Sequence, residues 1–203
     1  MNKAELLGHY GSDITHAQSA WTSTTRDLDA DKLSRMGKLL DMLASHGHHT
    51  PFEKSTFHFL VEVDQATHIH LLKHRIGVSI NGESARYKEL KEDKYIIPDD
   101  WPEDFKHELE YFSDLTNEIY HEALAKLEPI LGRARAKESA RFFKMMNSQI
   151  TMDISFNFRS FYHFYNLRAK PDAQKEVREL AEQMLELIKE TGDFNETIKA
   201  FKL

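Results

Sequence analysis

Apolar positions along the chain recur with two different periods, and the switches between those periods mark out its elements. Between 11 and 22, Ile14, Ala17 and Trp21 are spaced as on a helix. The stretch 29–45 is a clearer helix, with Leu33, Met36, Leu39, Leu40 and Leu43 on one stripe and Asp29 or Asp31 placed to cap it. His46-Gly47 ends that helix, and His48-His49-Thr50-Pro51 forms a turn. From Ser55 to Val63 the period drops to two: Phe57, Phe59, Val61 and Val63 face one way, while Thr56, His58, Leu60 and Glu62 face the other. That is a strand, antiparallel and packed mainly on one face. A short helix over 65–76 and an irregular polar stretch from Gly77 to Arg86 follow. Pro98 and Pro102 bracket a loop opening a long helix over 103–128, whose stripe runs Phe105, Leu109, Phe112, Leu115, Ile119, Leu124 and Leu127. Further on, the pattern predicts a helix over 133–146, a strand over Gln149–Phe156, and helices over 157–168, 173–190 and 193–201. The order predicts an α+β fold, a single domain over 1–203 with helices segregated around a small, mainly antiparallel sheet.

Composition narrows the chemistry more than the fold. The chain has 203 residues, 40% hydrophobic and 30% charged, as expected of an ordinary globular domain. It has no cysteine, which excludes disulfides, thiolate metal sites, iron–sulfur clusters and any thiolate nucleophile. A net charge of −6 argues against a general nucleic-acid binder, while leaving room for a small phosphorylated ligand held by locally focused cations. No apolar run approaches the ~20 residues that span a bilayer. The first residues lack the continuous apolar core of a signal peptide, so no membrane association and a cytoplasmic setting are expected.

The densest chemistry lies in Lys73-His74-Arg75-Ile76-Gly77-Val78-Ser79-Ile80-Asn81-Gly82-Glu83-Ser84-Ala85-Arg86-Tyr87. Three consecutive cationic or ionisable residues end a predicted helix. Neighbours there point about 100° apart, so they must splay around a large anionic object. A dinucleotide cofactor beside a nucleotide is such an object. A bare Lys-His-Arg reads more simply as a helix C-terminus complementing the macrodipole; the hydroxyl, amide and guanidinium groups beyond it favour the ligand.

This segment resembles the signature of flavin-dependent thymidylate synthases, Arg-His-Arg, a spacer and Ser-x-Arg. Lys73 stands for the first Arg, keeping the charge but not the planar fork, and eight residues separate Arg75 from Ser84 where seven are common. Gly82 intervenes between Asn81 and Glu83, where many members have Asn followed directly by Glu. Other blocks support the resemblance in order along 11–174: Gly11-Ser12-Asp13 with Ser23, His46-Gly47-His48-His49-Thr50-Pro51-Phe52-Glu53, Arg141, Asn157-Phe158-Arg159-Ser160 and Asn166-Leu167-Arg168. His70 stands where a Gln is common, His163 where an Asn is common, and Asp172 where a His is common.

The resemblance implies the thymidylate synthase-complementing protein fold, assembled as a homotetramer whose sites are shared between subunits. It implies FAD held by Ser23, Thr50, Glu53, Lys73, His74, Arg75, Asn157, Arg159 and His163. It implies dUMP held by His70, Lys73, Glu83, Ser84, Arg86, Arg141 and Arg168. NADPH would reduce FAD, and 5,10-methylenetetrahydrofolate would supply the carbon for dTMP. Uracil C5 must become nucleophilic without a cysteine, so cationic donors at the ring carbonyls have to do it. Arg168 is the candidate, with His48 near the reacting rings. Ser84 as nucleophile would need an adjacent base, and reads better as a binding residue.

Two other readings fit parts of the chain. One is a nucleotide- or flavin-binding relative that has lost or altered the activity. The other is a histidine-rich metalloprotein, since His70 and His74 stand four apart on the predicted helix and His46, His48 and His49 lie upstream. Lys73 and Arg75 would repel a cation there, so no metal is expected. For His58 and His163, buried hydrogen bonding is the expectation. The aromatics of 156–165 are expected to be core or subunit interface.

Overall fold

The computed structural model describes residues 1–25, 27–84 and 86–203. In chain order its elements are β1 (Lys3–Tyr10), α1 (Asp13–Trp21), α2 (Ala30–Ser45), β2 (Thr56–Asp64), α3 (Gln65–Leu71), β3 (Val78–Gly82), α4 (Glu103–Leu131), α5 (Arg133–Ala140), β4 (Gln149–Phe156), α6 (Phe158–Arg168), α7 (Lys175–Glu190) and α8 (Asn195–Ala200). Single 3-10 turns cover Thr50–Glu53 and Arg141–Phe143. The strands form one small antiparallel sheet in the order β1-β2-β4-β3. Register at one edge follows from Glu83 N donating to Thr151 O at 2.8 Å and Asn157 N to Gly77 O at 3.4 Å. The expected α+β architecture is present. No helix among the described residues is long and apolar enough to cross a membrane.

The chain divides into two compact units. The first comprises Met1–Lys3, Glu62–Lys73 and Asn81–Met152; the second comprises Ala4–Val61, His74–Ile80 and Asp153–Leu203.

In the first unit, α4 packs on α5 through Tyr120, Leu124, Ala136 and Ala140, with Leu90, Ala123 and Leu127 around them. Of the apolar stripe on α4, Leu124 is buried while Phe105 and Phe112 are exposed, and the other buried positions are the polar-tipped Ser113, Asn117 and Tyr120. The reason is a polar seam. Asn117 Nδ2 donates to Asp93 O at 3.0 Å, Tyr120 Oη accepts from Leu90 N at 3.1 Å, and Lys144 Nζ donates to Asn117 Oδ1 at 2.6 Å and Asp93 Oδ1 at 2.9 Å. These bonds satisfy groups that would otherwise be costly to bury, and they fasten the segment 90–94 to α4. The helix expected over 133–146 stops at Ala140, because the chain tightens into a 3-10 turn and leaves it extended at Lys144.

The second unit is built on aromatic packing. Phe57 and Phe59, the inward residues of β2, are fully buried, as are Phe52, Phe158, Phe161, Phe164 and Phe194. Rings meet edge-on, Phe57 with Phe194 at 4.9 Å and Phe52 with Phe201 at 4.7 Å between centroids, the geometry aromatic quadrupoles favour. Helix α7 adds Val177, Leu180, Ala181, Met184, Leu185 and Ile188, a stripe of helical period. Asp29 caps α2 by accepting from Lys32 N at 2.7 Å.

A buried polar network joins α1, α8 and the residue before β2. Thr197 Oγ1 donates to Asp13 Oδ1 at 2.6 Å, so it must accept from His16 Nδ1 at 3.0 Å. His16 Nε2 is then unprotonated and accepts from Ser55 Oγ at 2.9 Å. Burial accordingly lowers the His16 pKa to about 4 and raises that of Asp13.

Two further expectations fail. The helix read as 65–76 ends at Leu71, and part of the stretch read as irregular is strand β3; of that stretch, Ala85 lies outside the described residues. Lys73, His74 and Arg75 therefore lie beyond the helix, in the segment that joins it to β3. Strand β1 was not read from the sequence at all. Its Leu6, Leu7, His9 and Tyr10 carry no clean two-residue alternation, and the last four residues of the strand are exposed.

Candidate functional site

Helix α6 starts where Asn157 Oδ1 accepts from Ser160 N at 2.8 Å, an N-cap that leaves the first turn facing the segment 74–77. Ser160 Oγ donates to Gly77 O at 2.8 Å. Gly77 has φ of +68°, and a Cβ there would lie 2.7 Å from Asn157 Nδ2 and 3.1 Å from Ser160 Cβ. Only glycine lets the backbone run this close to α6.

Beside this contact, within the second unit, lies a cleft of about 410 Å³ lined by His49, Glu53, Ile76, Gly77, Asn157, Arg159, Ser160, Tyr162, His163 and Asn166. That volume is in the range of small-molecule sites. Four of the residues expected to hold FAD meet here: Glu53, Asn157, Arg159 and His163. Arg159 Nη1 is paired with Glu53 Oε1, joining positions 106 apart in sequence. Thr50 opens the 3-10 turn that ends in Glu53 but does not line the cleft. Sequence reasoning missed His49, Ile76, Gly77, Ser160, Tyr162 and Asn166 as lining. A signal was there for two of them: Ser160 and Asn166 recur every three residues with Asn157 and His163, a polar stripe along α6 whose other face is phenylalanine.

The remaining residues expected around the flavin are placed as follows. Ser23 is exposed just past α1, its hydroxyl donating to Ala20 O at 2.8 Å. Lys73 and Arg75 are exposed, whereas His74 between them is buried. The splay inferred from helix geometry does not apply, because the helix ends at Leu71. Arg168, in the last turn of α6, donates from Nε to His74 Nε2 at 3.0 Å, and partial burial lowers its pKa. The His74 ring lies edge-on to Phe164 at 5.1 Å and to His163 at 6.2 Å. His48 is exposed and stacked on His46 at 6.4 Å. His58 and His163 are exposed, contrary to the expected buried bonding, because one sits on the solvent face of β2 and the other on the cleft stripe of α6.

The nucleotide set, apart from Arg168, belongs to the first unit. Ser84 Oγ accepts from Arg86 N at 3.3 Å, and Arg86 Nε donates to Glu138 Oε1 at 2.7 Å. Glu83 pairs with Lys88 at 2.6 Å and lines a second cleft, of about 220 Å³, walled by lysines and carboxylates. His70 is half-buried at the end of α3, and Arg141 is exposed where α5 gives way to the 3-10 turn. The histidine-metal reading needed His70 and His74 on one helix face. His74 lies beyond the helix, and no group of three His, Asp or Glu among the described residues is placed to hold a metal.

The pattern of the family described as thymidylate synthase complementing protein matches residues 5–191. Flavin-dependent thymidylate synthases from Pseudothermotoga lettingae and Haloarcula marismortui are similar at 30% and 28% identity. The first alignment covers 91% of this chain and 84% of the relative, the second 87% and 80%. Among solved structures, a UMP/dUMP methylase, PolB, from Streptomyces cacaoi with 5-Br dUMP bound aligns at a TM-score of 0.82 and 26% identity, covering 100% of this chain and 95% of that one. With motifs, fold and relatives in agreement over nearly its whole length, this chain belongs to the flavin-dependent thymidylate synthase family.

Proposed function

We propose that the chain converts dUMP to dTMP by reductive methylation, with FAD seated along the α6 cleft. The carrying observation is that Glu53, Asn157, Arg159 and His163, far apart in sequence, line one cleft. The donor set suits a flat, phosphorylated cofactor: aromatic faces from Tyr162, His49 and His163, amides from Asn157 and Asn166, and the Arg159 guanidinium. A Cβ at Gly77 would intrude on the wall. Ser23, Thr50, Lys73, His74 and Arg75 complete the proposed flavin set. When bound, FAD supplies hydride drawn from NADPH, and 5,10-methylenetetrahydrofolate supplies the carbon.

The chain's own groups bind, orient and polarise. With no cysteine in the sequence, C5 of uracil must be activated by charge placed at the ring carbonyls. Arg168 is the group we assign to that task, and His48 is assigned beside the reacting rings. Ser84, Arg86, Arg141, Glu83, His70 and Lys73 form the proposed nucleotide set, in which Arg86 exchanges the Glu138 carboxylate for phosphate. Ser84 acts there by binding. The family match runs through both units without a break, which supports reading 1–203 as one functional domain.

A homotetramer with shared sites is part of the proposal. Its support is the apolar surface of the first unit, where Phe105, Tyr111, Phe112, Ile130, Phe142, Phe143 and Met146 are exposed, more than solubility of a lone chain favours. The test is release of tritium to water from dUMP labelled at C5, in the presence of FAD, NADPH and methylenetetrahydrofolate. Release matched by dTMP is expected, and no release from the flavin-loaded protein overturns the reading. UMP run alongside decides whether the 2′-hydroxyl is tolerated, since the solved neighbour is named for both nucleotides.

A further inference from the structure

We infer that His74 is a positioning residue for Arg168, acting as a neutral hydrogen-bond acceptor that sets the plane of its guanidinium. The inference rests on the role proposed for Arg168 and deepens it. An arginine side chain has only donors, so the 3.0 Å contact from Arg168 Nε requires a lone pair on His74 Nε2. The imidazole is therefore neutral with its proton on Nδ1.

The ring has little freedom to leave this arrangement. It is buried, held edge-on by Phe164 and His163 from α6. Its backbone is anchored on the other side, where Gly77 O accepts from Ser160 Oγ and Asn157 N. Fixing Nε of a planar guanidinium fixes the direction of both Nη groups, which is what a bidentate contact to a uracil ring needs. Protonation of Nε2 removes the acceptor and sets two cations against each other. Arg168 and His163 from α6 meet the ring, and the cationic Lys73 and Arg75 flank it in sequence.

His74 thus differs from its neighbours in the cationic run. Lys73 and Arg75 face outward as charges, while His74 faces inward as a base.

Three variants and one spectrum test this. His74→Leu, which keeps bulk and loses the acceptor, is expected to lower kcat/KM for dUMP about 100-fold with melting temperature retained, measured at saturating FAD because His74 also belongs to the proposed flavin set. His74→Gln, whose Oε1 can accept from Arg168 at similar reach, is expected to recover at least about tenfold of that loss. It is also expected to lose the fall in kcat that His74 protonation imposes on the acidic side of the wild-type profile. Nitrogen-15 spectra of histidine-labelled protein should show Nε2 of His74 unprotonated, and should change in Arg168→Leu. Leucine at full activity, glutamine with an unchanged acid limb, or a protonated Nε2 would each overturn the inference. If the wild type does not act on dUMP at all, the proposed function fails, while the nitrogen spectrum still decides the His74–Arg168 contact.

Discussion

Arg168 and His16 show how differently two ionisable side chains can be used in one small fold. Arg168 is half-buried and its pKa is lowered by desolvation, yet a guanidinium stays charged near neutral pH. It therefore brings a permanent, weakly hydrated cation to the end of α6. Replacing it by alanine is expected to lower kcat/KM for dUMP by about 100-fold or more, with far-ultraviolet circular dichroism unchanged. Near-normal turnover would remove Arg168 from the mechanism. His16 does the opposite, excluding charge. Its pKa falls from 6.5 to about 4 because it is fully buried, so the neutral ring is the folded form. Stability is complete above pH 6.5. Below it the unfolded chain takes up a proton that the folded chain refuses until about pH 4, and about 3 kcal/mol is lost across that window. Asp13 works the other way, since burial raises its pKa and its folded carboxyl protonates first, offsetting part of the loss at the acid end. Urea midpoints measured between pH 7 and pH 4 should fall for wild type and fall less for His16→Gln; parallel curves would contradict the buried-neutral reading.

Helix α6 is the element on which the site depends. Its phenylalanines point into the core while Asn157, Ser160, His163 and Asn166 point into the cleft, so one helix joins fold and ligand. Gly77 determines how closely the preceding segment lies against it. Gly77→Ala forces a Cβ into Asn157 and a positive φ onto alanine, and is expected to cost ~1–3 kcal/mol, read as a lower urea midpoint together with weaker FAD binding by fluorescence. Unaltered values for both would mean the close approach is dispensable. The strands and helices with pure periodicity were legible: β2 and β4 alternate because one face is core, and α7 repeats because one stripe is. Strand β3 was hidden by its polar residues. Only Val78 and Ile80 mark its inward side, and its pairing with β4 is a long-range fact that no window of sequence contains. The apolar stripe on α4 was legible, but not which face turns inward, because polar bonds from Asn117, Tyr120 and Lys144 fix it. At the site, local motifs were legible and their convergence was not. That Arg159 would meet Glu53, and Arg168 meet His74, depends on segments brought together by the fold.

For the molecule as a whole, the proposed flavin residues other than Lys73 fall in the second unit, and the proposed nucleotide residues other than Arg168 fall in the first. Apolar side chains left in solvent on the first unit support assembly into an oligomer. Phe112→Glu together with Phe105→Glu is expected to shift the light-scattering mass toward the single chain and to abolish dTMP formation; a fully active monomer would contradict shared sites. The central claim is that this cysteine-free chain adds a folate-derived carbon to dUMP and completes the methyl group with flavin-borne hydride. A single-turnover experiment addresses it most directly. Protein with reduced FAD is mixed anaerobically with dUMP and methylenetetrahydrofolate labelled with carbon-13 at the methylene. The account predicts recovery of the oxidised flavin spectrum and an equimolar amount of dTMP carrying the label in its methyl group. A spectrum that stays reduced, with unlabelled dUMP recovered intact, would contradict it.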